Sequence, residues 1–299
     1  MKDAAVSARA THADPWRTIS DYVALTKPRL NVLVVATSAA GYYLGATAPI
    51  VPGPFIATVV GTALVAGGAA TLNQVYERDT DALMRRTRMR PLPAARVSPS
   101  EARVFGGVLS IAGLALLAAF STWLAAALAL LTLVTYLCVY TPLKRVSPVA
   151  TVVGAVPGAL PPLIGWTASH GSIALGGLAL FLIVFLWQIP HFMAIAWMYR
   201  DDYGAAGFPM LAVIDPEGRR AGRQAVAYAA ALLPTSLVPT ILDLSGPLYG
   251  VVAALLGLAL LVLSVRFAGT RTNAAARQLF FASIVYLPLI WIVMIADKR

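Results

Sequence analysis

Between residues 71 and 93 the chain reads T-L-N-Q-V-Y-E-R-D-T-D-A-L-M-R-R-T-R-M-R-P-L-P, with Asn73, Glu77 and Asp81 at four-residue intervals. On a helix these three share one face. Asp79 points about 200° away from Glu77 at roughly 100° per residue, which makes it a weaker candidate for the same site. An amide and two carboxylates on one stripe suit a hard cation, and Mg²⁺ commonly bridges one or two carboxylates to substrate phosphates. Arg85, Arg86, Arg88 and Arg90 follow at once, and guanidinium groups bind phosphate oxygens bidentately. The plainer reading is a solvated helix end with i,i+4 ion pairs to Arg85 and with arginines that only anchor the chain at a membrane surface. Asn73 weighs against that reading, because it reaches into an apolar run where polar groups are costly and usually functional.

A second region, F-L-W-Q-I-P-H-F-M-A-I-A-W-M-Y-R-D-D-Y-G-A-A-G-F-P-M, spans 185–210. Pro190 frees a carbonyl and predicts a kink. Gln188, His191, Ile195, Met198 and Asp202 fall on one face, since the eleven residues from His191 to Asp202 return the helix to within about 20°. A histidine in an apolar span, aligned with a carboxylate, reads as lining a cavity. The alternative is a structural histidine bonded to a neighbouring helix. Asp201 and Asp202 are candidates to complete a metal site, or they pair with Arg200 or Arg219. Two carboxylates at helical spacing are missing here, so this region is the less specific.

Thr26-Lys27-Pro28-Arg29 and Lys144-Arg145 flank two apolar runs; each pair either reaches a diphosphate or anchors the chain at the interface. Tryptophans and tyrosines near span ends read first as interfacial belt residues, and His12 and His170 read as incidental. No P-loop, H-E-x-x-H or C-x-x-C-H pattern is present, which argues against a nucleotide-binding loop, a zincin and covalent haem attachment.

These groups must be positioned by a membrane bundle. The 299 residues are 59% hydrophobic and 12% charged, with a mean hydropathy of +0.76; a soluble domain would carry about 25% charge. A spanning helix needs roughly 20 apolar residues. The sequence predicts nine, over 30–48, 54–75, 104–121, 123–141, 148–168, 173–198, 223–242, 247–268 and 278–296. The fold class is therefore an all-α polytopic membrane protein: a polar arm over 1–29 and one membrane domain over 30–299. The formal charge of +10 does not indicate nucleic acid, because of its distribution. With nine spans, 21 of the 23 lysines and arginines fall on one side and only Lys298 and Arg299 on the other. The positive-inside rule then puts the N-terminus and the long loops in the cytoplasm and the C-terminus across the membrane. No cleavable signal peptide is read in the polar first 29 residues. The single cysteine, Cys138, excludes an intramolecular disulfide and a cysteine metal cluster, and reads as a small buried apolar group.

The two long inner loops, 76–103 and 199–222, end in similar helix-start signals: Ser98-Pro99-Ser100-Glu101 and Asp215-Pro216-Glu217. Four spans separate them. The pattern predicts two four-helix halves plus a ninth helix, with the loops meeting over one central cavity open to the cytoplasm.

N-x-x-x-E-x-D-x-D followed by M-x-R-T-x-x-R-P-L-P resembles the first motif of the UbiA superfamily of intramembrane prenyltransferases, most of all its haem O synthase (protoheme IX farnesyltransferase) branch. Asn73, Glu77 and Asp81 match the N-x-x-x-D-x-x-x-D core, with Glu77 for an aspartate. Arg86, Thr87, Arg90, Pro91, Leu92 and Pro93 match the branch's extension. W-Q-I-P-H-F, Y-R-D-D-Y and A-G-F-P-M resemble its second region, where the wider superfamily has D-x-x-x-D and this chain does not. The resemblance covers roughly residues 20–296. It implies a multi-pass enzyme of a bacterial-type inner membrane that moves a farnesyl group from farnesyl diphosphate to a vinyl group of haem B, with Mg²⁺ as cofactor. It also implies a haem A synthase or terminal oxidase assembly as a docking partner. In that scheme Asn73, Glu77 and Asp81 hold the metal, with Asp201 and Asp202 as further candidate ligands. Arg86, Arg90 and Lys144 bind diphosphate. Lys27, Arg29, Arg145, Gln188, His191, Asp202 and Tyr203 are substrate-side candidates, with His191 facing the haem as an iron ligand or an orienting group. Two other readings stay open: a related enzyme with a quinone, chlorophyll or aromatic acceptor, and a secondary transporter, which would place its ionisable groups near mid-span.

Overall fold

A computed structural model describes residues 15–299 and the side chains from residue 18. Lys2, Arg9 and His12, and the side chain of Arg17, lie outside the described residues. The described chain forms helices α1 (Pro15–Leu25), α2 (Pro28–Gly45), α3 (Pro52–Leu83), α4 (Pro99–Phe120) and α5 (Trp123–Val134). A π-helical turn (Thr135–Tyr140) and the short α6 (Thr141–Leu143) follow, then α7 (Ala150–His170) and α8 (Leu175–Met198). The rest comprises α9 (Arg200–Ala205), α10 (Leu211–Ile214), α11 (Arg219–Thr235), α12 (Val238–Ile241), α13 (Pro247–Thr270) and α14 (Asn273–Ala296).

Eight helical stretches among the described residues are long and apolar enough to cross a membrane, with α5 to α6 and α11 to α12 each counted as one. At 1.5 Å per residue a 24-residue helix such as α8 is roughly 36 Å long, against a hydrocarbon layer of about 30 Å. The count of nine differs at the first predicted span. Its counterpart α2 is 18 residues long but less apolar, because Arg29 and Asn31 occupy its first turn. The chain is a multi-pass, all-α membrane protein. Its outer faces suit lipid: Val251, Leu255, Leu258, Val262 and Val265 of α13 are exposed, which water would penalise and acyl chains would not.

Inside the bundle, helices approach through small residues, as expected where no hydrophobic effect drives their association. A Cβ at Gly165 of α7 would meet the Ser38 carbonyl of α2, and one at Gly68 of α3 would meet Ser110 of α4. The core proper lies around α8, where Leu180, Ile183, Trp187 and Met193 pack with Leu279, Tyr286 and Ile290 of α14. One end of the bundle gathers the short turns. His170 reaches the Gly45 carbonyl, Thr122 bonds the Thr167 carbonyl, and Lys298 bonds the carbonyls of Tyr43 and Ala46. The charged loops collect at the other end.

Three local expectations change. The second predicted span, 54–75, continues as helix to Leu83, so the acidic stripe stands on a formed helix end. Ser98 and Glu101 do build a capping box at the start of α4. At the second start signal the helix begins only at Arg219: Gly218, at φ +71°, closes a turn back to Asp215. Asp215 then accepts from the Arg220 amide at 2.5 Å, capping from outside the helix. Cys138, expected to be buried, is exposed; in the π turn its neighbour Leu137 takes the inward position.

Candidate active site

The stripe at the end of α3 is buried. Asn73, Glu77 and Asp81 are only 2%, 4% and 1% exposed, whereas Asp79, on the far side of the helix, has 84% of its side chain exposed and pairs with the adjacent Arg78. Helical periodicity alone separates the two sets.

Charge cannot be buried without partners, and each stripe residue receives one cation from elsewhere in the chain. Lys27 Nζ lies 3.3 Å from Asn73 Oδ1, Lys144 Nζ 3.1 Å from Glu77 Oε1, and Arg90 Nη1 2.7 Å from Asp81 Oδ2. The Arg90 contact depends on how α3 stops. The backbone turns extended at buried Met84, and the Thr87 hydroxyl bonds back to the Asp81 carbonyl at 2.7 Å. This return carries Arg85 out of helical register. Its expected i,i+4 pair with Asp81 is absent, and Arg90, nine residues on, takes the place. Pro91 and Leu92 then anchor the loop, with Leu92 buried against Leu25 and Val97.

Lys27 is held differently. It sits at φ 50°, ψ 56°, a left-handed conformation that costs a non-glycine residue about 1–2 kcal/mol, and Pro28 after it fixes the start of α2. Burial, with Arg90 nearby, pushes its ammonium down to about 8.

The π-helical turn completes the wall. The Thr141 hydroxyl bonds the Tyr136 carbonyl at 2.8 Å and accepts from Asn73 Nδ2 at 3.1 Å. Tyr140 stacks on Tyr136 and packs on Gly154 of α7. π turns recur at functional sites because they re-aim side chains. Nothing in the hydropathy pattern marked Tyr136, Tyr140 or Thr141; the proline after Thr141 is the one local signal.

From the other side the 199–214 segment closes over the stripe. Arg86 lies 5.1 Å from the Tyr199 ring centre, 5.9 Å from that of Tyr203, and within 3.4 Å of the Tyr203 hydroxyl. Lys144 sits 4.5 Å over the Phe208 ring. Tyr199 and Phe208 were not singled out from sequence, although the Y-R-D-D-Y and A-G-F-P-M runs contain them. Tyr199, which the general reading of span-end tyrosines makes a belt residue, and the substrate-side candidate Tyr203 both hold a guanidinium.

Other candidates are not brought in. Asp201 has 98% of its side chain exposed, with Arg200 at 4.0 Å, because α9 turns it away from the stripe. Asp202 is half-buried. Among the described residues no three His, Cys, Asp or Glu side chains group to share an ion, so Asp201 and Asp202 do not join Glu77 and Asp81 in a common cluster. Arg29 is exposed, and Arg145 is spent on the Tyr76 carbonyl at 2.7 Å. Gln188 is buried and donates to the Ala155 carbonyl of α7 and to Val184, a helix-to-helix clasp.

His191 stands eight residues before Tyr199, roughly 12 Å deeper along α8. Its ring is stacked between Trp187 and Phe280, and Nδ1 is 2.8 Å from Ser283 Oγ of α14.

The donor set at α3 fits a hard cation. Asp81 Oδ1 is buried without a hydrogen-bond partner among the described residues, an arrangement that costs on the order of 1–3 kcal/mol or more for a charged group. Arg90 and Lys144 pair with the two carboxylates, Lys27 bonds the Asn73 amide beside them, and Arg86 stands against Tyr199 and Tyr203 in the segment that packs on Lys144. That leaves two surplus positive charges, an environment made for a polyanion.

An acidic helix end met by cations at one end of a polytopic helical bundle has the chemistry of a membrane enzyme's anion-binding site. The chain belongs to the UbiA prenyltransferase family, whose model matches residues 34–285; it is a prenyltransferase. It is 49% identical over 280 residues to a protein of Opitutus terrae described as a protoheme IX farnesyltransferase, covering 93% of this chain and 95% of that one. A protein of Koribacter versatilis with the same description is 43% identical, covering 94% of each chain. Among solved structures, one described as a digeranylgeranylglyceryl phosphate synthase superposes with a TM-score of 0.80 at 16% identity, covering 94% of this chain and 98% of that one. A UbiA homologue from Archaeoglobus fulgidus bound to GPP and Mg²⁺ superposes at 0.67 and 19% identity, covering 92% and 99%. At such identities these two likenesses speak for the fold.

Proposed function

We propose that this chain transfers a farnesyl group from farnesyl diphosphate to a vinyl group of haem B, giving haem O and pyrophosphate. The observation that carries the reading is the buried carboxylate of Asp81, one oxygen unpartnered, on a stripe surrounded by surplus positive charge. Glu77 and Asp81, with the Asn73 amide, would hold Mg²⁺, which when bound neutralises diphosphate oxygens and eases departure of the leaving group. Lys27, Arg86, Arg90 and Lys144 bind the same diphosphate, and their pull grows as charge develops on the departing oxygen. The allylic C–O bond breaks and pyrophosphate takes its electron pair. The farnesyl cation adds to the vinyl double bond, and water captures the new cation with loss of a proton, leaving the hydroxyethylfarnesyl side chain. The apolar interior keeps water from the first cation. His191, two turns deeper, meets the haem as an iron ligand. Donor and acceptor are supported by the relatives described as protoheme IX farnesyltransferases.

In the same reading the protein lies in a bacterial inner membrane with the basic end, and so the site, in the cytoplasm. A nine-span arrangement, with α2 crossing despite its polar first turn, puts the C-terminus on the opposite face. The test is incubation of membranes containing the protein with haem B, farnesyl diphosphate and Mg²⁺, reading product mass. Haem O is expected only with all three. Farnesylation of a quinone or aromatic acid in place of haem B would overturn the acceptor and leave the prenyl transfer standing.

A further inference from the structure

Ser283 of α14 stands at the junction of three contacts. Its hydroxyl lies 2.6 Å from the Phe280 carbonyl of its own helix. His191 Nδ1 of α8 lies 2.8 Å from the same hydroxyl oxygen. Its backbone carbonyl accepts from the indole of Trp187 at 2.8 Å, and Trp187 is one of the two rings that sandwich His191 at 5.1 Å.

A hydroxyl has one hydrogen, and a carbonyl oxygen can only accept. At 2.6 Å from the Phe280 carbonyl, Ser283 must donate there, because the alternative sets two oxygen lone pairs against each other. Its oxygen then accepts from His191, so Nδ1 carries the ring proton and Nε2 keeps the lone pair. Among the described residues no hydrogen bond reaches Nε2, and the ring is half-buried rather than sealed. Rotating the ring by 180° would face a carbon toward Ser283 and lose the bond, while the flanking rings fix its plane. A histidine needed only to tie α8 to α14 would be served by either tautomer. This arrangement selects the one whose outer nitrogen can bind a metal.

We propose that Ser283 is a positioning residue for the haem substrate: it locks His191 in the Nδ1–H tautomer and presents Nε2 to the haem iron. The assignment rests on the reading of haem B as acceptor. Partners that orient a ligating histidine typically change metal affinity by about 10–100-fold.

The test uses the full-length protein in detergent, titrated with haem B and followed through its Soret and visible bands. Ser283→Ala should weaken haem binding by about 10–100-fold and shift the bands toward those of His191→Ala. Ser283→Thr, which keeps the hydroxyl, should restore both. Farnesyl diphosphate affinity should stay within about twofold in all three, as expected of a change remote from its site. Unchanged bands and affinity in Ser283→Ala, alongside a clear loss in His191→Ala, would overturn the role of Ser283 and leave His191 as a ligand. Unchanged bands in His191→Ala would remove both. The product-mass assay decides the acceptor independently of either outcome.

Discussion

The acidic stripe of α3 and the aromatic slot of α8 are both polar intrusions into an apolar bundle, yet they are stabilised in opposite ways. Asn73, Glu77 and Asp81 are each met by a cation from a different stretch of chain, at 3.3, 3.1 and 2.7 Å. His191 is met by two rings and a neutral hydroxyl. The first arrangement is electrostatic and carries excess charge, so its best ligand is an anion. The second excludes charge and orients one nitrogen, which suits it to the acceptor side of the reaction proposed above, as the first is suited to the diphosphate donor.

The contrast breaks most readily at Asp81. Asp81→Asn keeps the shape and still offers Arg90 an oxygen, but it removes the charge. Metal-dependent release of pyrophosphate should fall on the order of 10²–10³-fold, with the protein still folded in membranes. Activity within a few-fold of the parent would take Asp81 out of the metal site.

A second prediction separates stability from catalysis. Lys144→Met leaves Glu77 buried and unpaired, a change that costs about 3–5 kcal/mol when one partner of a buried pair is removed. The unfolding temperature in detergent should drop, and adding Glu77→Gln should recover most of it without recovering activity. No drop in Lys144→Met would mean that the pair is solvated and that the stripe is an ordinary helix end.

On the α8 side, His191→Ala should weaken haem B binding by about 10–100-fold while farnesyl diphosphate binding holds. Equal losses for both would make His191 a structural tie between α8 and α14, and the two regions would no longer divide the labour.

The unequal legibility of the two regions has the same physical root. The stripe was visible because helical period is local: once 71–83 is helix, Asn73, Glu77 and Asp81 must share a face and Asp79 must leave it. Its counter-ions were only half visible. Arg90 displaces Arg85 because the chain reverses at Met84, and reversal depends on tertiary burial that no spacing rule contains. Lys27 and Lys144 were candidates on charge alone; their pairing with Asn73 and Glu77 crosses 46 and 67 residues of sequence. The π turn that aims Thr141 at Asn73 leaves no periodic signature in the six residues Thr135–Tyr140. On α8 the face shared by Gln188 and His191 was legible, but the use of Gln188 as a clasp to α7 was not, because that depends on which helix lies opposite. At α2 the length-and-composition count stops at eight, because Arg29 and Asn31 in its first turn lower the apolarity of an 18-residue helix.

The smallest predicted effect is the one that most sharpens the comparison. Asp201 and Asp202 follow directly on the end of α8, and a second metal group there would make the two regions alike. Asp201 is almost wholly solvated and its one cation stands at 4.0 Å, where an exposed pair contributes about 0–1 kcal/mol. Asp201→Asn should therefore leave the metal dependence of pyrophosphate release within about twofold. Measured beside it, Asp202→Asn tests the half-buried neighbour that shares the His191 face. A tenfold loss in Asp201→Asn would require α9 to turn its exposed carboxylate inward once diphosphate is bound. The acidic site would then be assembled from both helices, and the division between a charged α3 and an apolar α8 would hold only for the ligand-free protein.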